Sequence, residues 1–156
     1  MPASTKPPAA STRHQASPCA GDDVELDVLT LGWAFCHPKG WSIVQRSIAT
    51  SNPQGVDTTL DVVAGDGFFG FMIVGSYQRG NAASLNDWLA ANAPGDAQVE
   101  PIAWANATQA VSVKGQLRRY AMTSHRVYAL TLREGAGNLD LEAAMQPRLT
   151  SWSFII

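Results

Sequence analysis

The densest chemistry in the sequence lies in seven residues, Phe35, Cys36, His37, Pro38, Lys39, Gly40 and Trp41. A thiol beside an imidazole could be a pair of metal ligands or a nucleophile with its base. Either role needs both side chains on one side of the backbone. Adjacent residues of a strand point to opposite faces, so a strand through Cys36 and His37 separates them. No second Cys-His or carboxylate cluster has zinc spacing. Pro38 fixes φ and Gly40 supplies conformational freedom, which makes His37 to Gly40 a turn. Trp41 then opens the next strand and anchors it in the core. Of the other histidines, His14 lies near the N-terminus, and His125 reads as an ordinary strand residue rather than a pH sensor.

Cys36 has one possible partner, Cys19. A Cys19–Cys36 bridge would staple the start of the folded chain to its first apolar segment and contribute about 3 kcal/mol by loop closure. The alternative is two free thiols in a cytosolic protein, with Cys36 buried because cysteine packs well. The bridge is favoured because residues 1–18 point to export. They are rich in Pro, Ala, Ser and Thr, with little to bury and no apolar centre of a signal peptide. They read as a disordered tail or stalk, or as a leader, ahead of a single domain over 19–156.

Other candidate sites are weaker. Gly65-Asp66-Gly67-Phe68-Phe69-Gly70 fits a dinucleotide-binding pattern, but no helix follows it, so the glycines read as a hairpin turn and a strand bulge. Asp57 and Asp61 share a strand face yet are too far apart to share a proton. Asp22, Asp23, Glu25 and Asp27 lack the Gly and terminal Glu of a calcium loop. Arg118, Arg119, Arg126 and Arg133 fall on two strands and form either a basic patch or ion pairs with nearby acids. Asn106-Ala107-Thr108 fits a glycosylation acceptor. No G-x-S-x-G elbow is present. The reading is therefore no catalytic residue, no metal ligand and no cofactor.

These residues must be positioned by a chain of 156 residues with 46% apolar content and a net charge of −2. That is enough for one full core. The basic residues are scattered, which argues against nucleic acid, and no apolar run nears the roughly 18 residues of a membrane span. Strands are expected over Trp41–Ser47, Val56–Val63, Phe68–Tyr77, Val99–Trp104, Thr108–Val113, Gln116–Met122 and His125–Glu134. In Val56–Val63, Val56, Thr58, Leu60 and Val62 share one face. Phe68–Tyr77 reads as buried on both faces. Ser84 caps a helix that Pro94-Gly95 ends. A second helix follows Asn138 and carries Leu141, Met145, Leu149 and Trp152 near helical spacing, with Pro147 expected to kink or split it. The apolar C-terminus must dock. Short turns between strands imply an antiparallel sheet, and two amphipathic helices can cover it. The expected class is α+β, an antiparallel sheet flanked by helices.

The stretch FCHPKGWSI resembles the "aromatic-x-x-Pro-x-x-Trp" opening of the PsbP-like superfamily. SLNDWLAANA is similar to its middle helix, GQLRRYAM and RVYALTLRE to its paired strands, and SWSF to its close. The likeness covers about residues 29–156. It implies an α-β-α sandwich and a role in binding rather than catalysis, most like an exported actinobacterial lipoprotein-type member. The expected function is a non-enzymatic exported or tethered domain that binds a protein or an apolar ligand; a surface patch at Trp33 or Trp104 would serve, although both residues read as core. The alternatives are a cytosolic chaperone or adaptor for a secretion substrate and, more weakly, a small hydrolase.

Overall fold

A computed structural model describes residues 19–28, 32–51, 55–64, 67–96, 98–134 and 141–154. The strands are β1 (Val24–Val28), β2 (Trp33–His37), β3 (Trp41–Ser51), β4 (Gly55–Ala64), β5 (Gly67–Gln78), β6 (Val99–Pro101), β7 (Gln109–Val113), β8 (Arg118–Met122), β9 (Arg126–Glu134) and β10 (Ser153–Phe154). Helix α1 spans Leu85–Asn92 and α2 spans Leu141–Leu149. The strands form two antiparallel sheets. One has seven strands in the order β3-β4-β5-β9-β8-β7-β6; the other has three, β1-β2-β10.

The seven-stranded sheet follows from alternation. In β4, Thr58, Leu60 and Val62 are buried on one face, as their period-2 spacing predicts. Met72 and Val74 of β5 and Tyr128, Leu130 and Leu132 of β9 line up beside them. This inner face carries the main core.

What covers the inner face overturns the expected α+β class and its α-β-α sandwich: the described residues are mostly strand, in one seven-stranded and one three-stranded sheet, with α1 and α2 the only α-helices among them. The layer over the inner face is the small sheet together with α2: Trp33, Phe35 and Phe154 pack into the same cluster as Met145 and Leu149. Glu25 and Asp27 of the acidic segment lie on strand β1, and Leu26 between them packs against the core. Of the apolar end, Ser153 and Phe154 dock as β10, where Ser153 pairs with Ala34 and Phe154 with Trp33, while residues 155–156 lie outside the described residues. The aromatic residues of β2 and of the C-terminus are the physical reason, because flat rings fill the space between two sheets. Trp152 stacks on Phe35 at 4.6 Å and on Trp33 at 5.5 Å, and Trp104 meets Trp152 edge-on. Trp33 and Trp104 are 0% and 2% exposed, so neither forms a surface patch.

Local expectations change at Trp152, Pro147 and Asn106; Trp152 lies past the end of α2 at Leu149 and is not on the helix. Helix α2 runs unbroken through Pro147, which sits only two residues before its end. Its proposed cap, Asn138, lies outside the described residues, as do residues 1–18. Asn106 serves the fold: its side chain accepts from the Phe154 amide and donates to the Phe154 carbonyl, both at 2.9 Å, clamping β10.

Cys19 and Cys36 are bonded, with Cα atoms 5.6 Å apart. The bridge ties the first described residue to the central strand of the small sheet. Closing a loop of this length stabilises by about 3 kcal/mol. Reduction should lower the melting temperature by about 2–4 °C for each kcal/mol lost. Calorimetry with and without reductant checks this, and an unchanged melt would show that the bridge contributes nothing.

Candidate binding face

The outer face of the seven-stranded sheet is covered unequally. Ser84 accepts a hydrogen bond from the Asp87 amide and starts α1. Leu85, Trp88 and Leu89 then pack on Val111, Val113, Tyr120, Met122, Val127 and Ala129. The helix is pinned there. Trp88 Nε1 donates to the Gln78 carbonyl at 3.1 Å, the Leu85 amide donates to Gln109 Oε1, and Arg79 donates to the carbonyls of Ala82 and Thr123. Cover therefore lies over β7, β8 and β9. Phe71 and Ile73 of β5 and Val63 of β4 stay partly exposed, and Val44 of β3 is 53% exposed. The strand expected to be buried on both faces is buried on one.

Register shows what this bare region presents. One row across the sheet reads Asp57, Gly75, Ala129, Tyr120. The next reads Thr59, Ile73, Thr131, Arg118, and a third reads Asp61, Phe71, Arg133. Gly75 and Ala129 are small, and a depression of about 250 Å³ lies among Asp57, Tyr77, Arg118 and Tyr120. The Tyr77 ring lies flat on the backbone. A Cβ at Gly75 would sit 2.2 Å from its hydroxyl oxygen, and one at Gly55 would sit 2.4 Å from Cδ1. Only glycine leaves that room. The ring thus reaches along the strand, and its hydroxyl donates to Asp57 at 2.7 Å.

The opposite wall is a polar triad. Asp96, in the 3-10 turn after α1, accepts from the Tyr120 hydroxyl at 2.6 Å and from Arg118 Nη1 at 2.9 Å. Arg118 Nε donates to Thr131 Oγ1 at 3.0 Å, which fixes the guanidinium plane. Burial pushes the Asp96 carboxyl up, but the Tyr120 and Arg118 hydrogen bonds and the Arg118 charge outweigh it and hold the group below its ordinary 3.8. Burial, then the carboxylate at Asp57 or Asp96, raises the phenols of Tyr77 and Tyr120 far above the usual tyrosine range. Both phenols keep their protons at neutral pH and act as hydrogen-bond donors.

Sequence candidates are distributed as follows. His37 Nδ1 lies 2.9 Å from the Pro38 carbonyl, so it carries a proton, and the ring stacks on Trp41. Alternation along β2 separates it from Cys36. Asp57 and Asp61 do share the outer face, but one binds Tyr77 and the other binds Arg46 at 3.0 Å. The four arginines do not form one patch: the pleat puts Arg118 and Arg133 on the outer face and Arg119 and Arg126 on the inner face. Arg119 pairs with Glu142 of α2, and Arg126 donates to Ser76. Asp23 pairs with Arg148 at 3.1 Å. Among the described residues, no group of three or more His, Cys, Asp or Glu side chains could hold a metal ion, and no helix is long and apolar enough to cross a membrane. Gly67 and Gly70 lie in β5, with a register shift beside Gly70. Tyr77, Asp96 and Tyr120 went unseen in the sequence. The one local signal was Gly75, a strand glycine two residues from an aromatic on the same face.

Comparison of the chain with family models, with curated proteins and with solved structures returns no match.

Two outcomes test this geometry. Asp96→Asn should cost about 1–3 kcal/mol at pH 7 by weakening the contacts of Arg118 and Tyr120. Because the folded pKa of Asp96 lies below its free value, its contribution is complete at neutral pH and fades as pH falls below 3.8. Urea melts at pH 7 and pH 3 should therefore show a gap between wild type and variant that narrows in acid. Gly75→Ala should cost about 1–3 kcal/mol by overpacking, and much less in a Tyr77→Ala background. Equal costs in both backgrounds would rule out the ring as the cause.

Proposed function

We propose that this chain is an extracytoplasmic, non-enzymatic binding domain that takes a polypeptide on the bare β3-β4-β5 half of its outer sheet face. The observation that carries the reading is the unequal cover of that face. One half is sealed by α1; the other leaves Val44, Val63, Phe71 and Ile73 in contact with solvent. A sheet face with large apolar side chains ordinarily packs against another layer. An apolar centre rimmed by Arg46, Asp57, Asp61 and Arg133 has the make-up of a protein interface.

The polar walls of the depression favour a polypeptide over an apolar small ligand. The Cys19–Cys36 bridge supports an oxidising compartment over the cytosolic adaptor reading. Arg118 and Asp96 are paired with one another, and the two phenols stay protonated, which suits recognition better than proton transfer.

The test uses immobilised wild type, Thr59→Arg and Glu100→Lys against envelope and secreted proteins of the producing organism. Thr59 lies in the middle of the bare half; Glu100 lies on the far edge strand. Quantitative mass spectrometry should find one polypeptide enriched by wild type and Glu100→Lys and depleted at least about tenfold by Thr59→Arg, a loss of about 1.4 kcal/mol. Equal retention by all three, or by none, sinks the proposal.

A further inference from the structure

The two edges of the seven-stranded sheet are unlike. The β6 edge has three residues and ends on Pro101, which has no N–H to offer a further strand. It also carries Glu100 beside Lys114 at 4.0 Å. Short length, proline and charge are the usual protections of an edge.

The β3 edge is neither short nor interrupted by proline; it carries a single charge, Arg46, at a register shift between Gln45 and Ser47. It runs for 11 residues, about 37 Å at roughly 3.4 Å per residue. It contains no proline, lysine or acidic residue, and residues 44–50 are all exposed. Val44 and Ile48 are 53% and 52% exposed. Register puts them on opposite faces, since Val44 pairs with Asp61 of the outer face and Ile48 with Thr58 of the inner face. The strand's one charge, Arg46, is already neutralised: its Nε and Nη2 both donate to the Asp61 carboxylate, at 3.0 Å. A strand arriving at this edge meets open backbone groups, two apolar side chains and no uncompensated charge.

We propose that β3 pairs antiparallel with β3 of a second copy, joining two seven-stranded sheets edge to edge about a two-fold axis. Charge matching selects the occupant. A basic or acidic segment finds no complement on β3, whereas β3 itself, with Arg46 paired, is a neutral strand of matching length. Symmetry agrees with this choice. A two-fold normal to the sheet carries each face onto the same face of the partner. Val44 of both copies then lies on one continuous outer face and Ile48 of both on the inner face, so each exposed apolar residue gains apolar surroundings. The inference concerns the edge and does not depend on what binds the outer face.

Sedimentation equilibrium of the full chain should show a weight-average mass that rises twofold with concentration. Amide hydrogen exchange over residues 43–50 should slow over the same range. Val44→Lys/Ile48→Lys, which changes only exposed side chains, should stay at the mass of one chain with an unchanged circular dichroism spectrum. Glu100→Lys, on the opposite edge, should associate like wild type. A wild type that stays monomeric up to roughly 1 mM overturns the proposal. So does a dimer that survives both lysines, or one whose residues 43–50 gain no exchange protection.

Discussion

Trp152 lies between the two sheets, immediately ahead of β10. Its ring lies parallel to Phe35, 6° from coplanar at 4.6 Å, and 22° from the ring of Trp33 at 5.5 Å. Phe154, two residues on, stacks on Tyr128 of the large sheet. Aromatic pairs at these distances contribute about 0.5–1.5 kcal/mol beyond the area they bury. The indole nitrogens of Trp33, Trp104 and Trp152 have no hydrogen-bond partner among the described residues, a cost of about 1–3 kcal/mol each. The apolar area of the cluster has to exceed that cost. Without this stack, β10 has little reason to pair with β2, and β2 has no reason to leave the large sheet.

That single packing choice decides the rest of the layering. Since β1, β2 and β10 supply most of the inner cover, α2 is a partial roof on the same side. Among the described residues one helix remains for the outer face, and α1, with eight residues, spans only part of it. At about 1.5 Å per residue it is about 12 Å long, while seven strands at about 4.8 Å spacing are about 29 Å wide between outer strands. The uncovered half of the face is a consequence of these lengths.

The polar groups divide along the same boundary. Where α1 ends, Asp96 is drawn under its turn and accepts from both Tyr120 and Arg118, so the buried carboxylate is paired rather than orphaned. Beyond α1, the groups that meet solvent, Asp57 with Tyr77 and Asp61 with Arg46, are paired across strands. Arg133 is exposed on the same face, opposite Phe71. The open half of the face is thus nearly neutral and already ordered, so a partner would find side chains set in place.

Much of the strand content was legible in the sequence. Alternation in Val56–Val63 placed Thr58, Leu60 and Val62 on the buried face, Ser84 was readable as a cap, and Cys36 had one possible partner. Those are local properties, set by the pleat, by backbone hydrogen bonding and by a count of two cysteines. The layering was not local. The pairing of Phe154 with Trp33 joins residues far apart in the chain, and no period announces it; the acidic start of β1 even hid a strand. The binding face was unreadable for the same reason. Tyr77, Asp96 and Tyr120 meet only after α1 has settled and β8 has paired with β9. Which side chains stay uncovered depends on how far one short helix reaches across a wide sheet, and tertiary packing alone decides that.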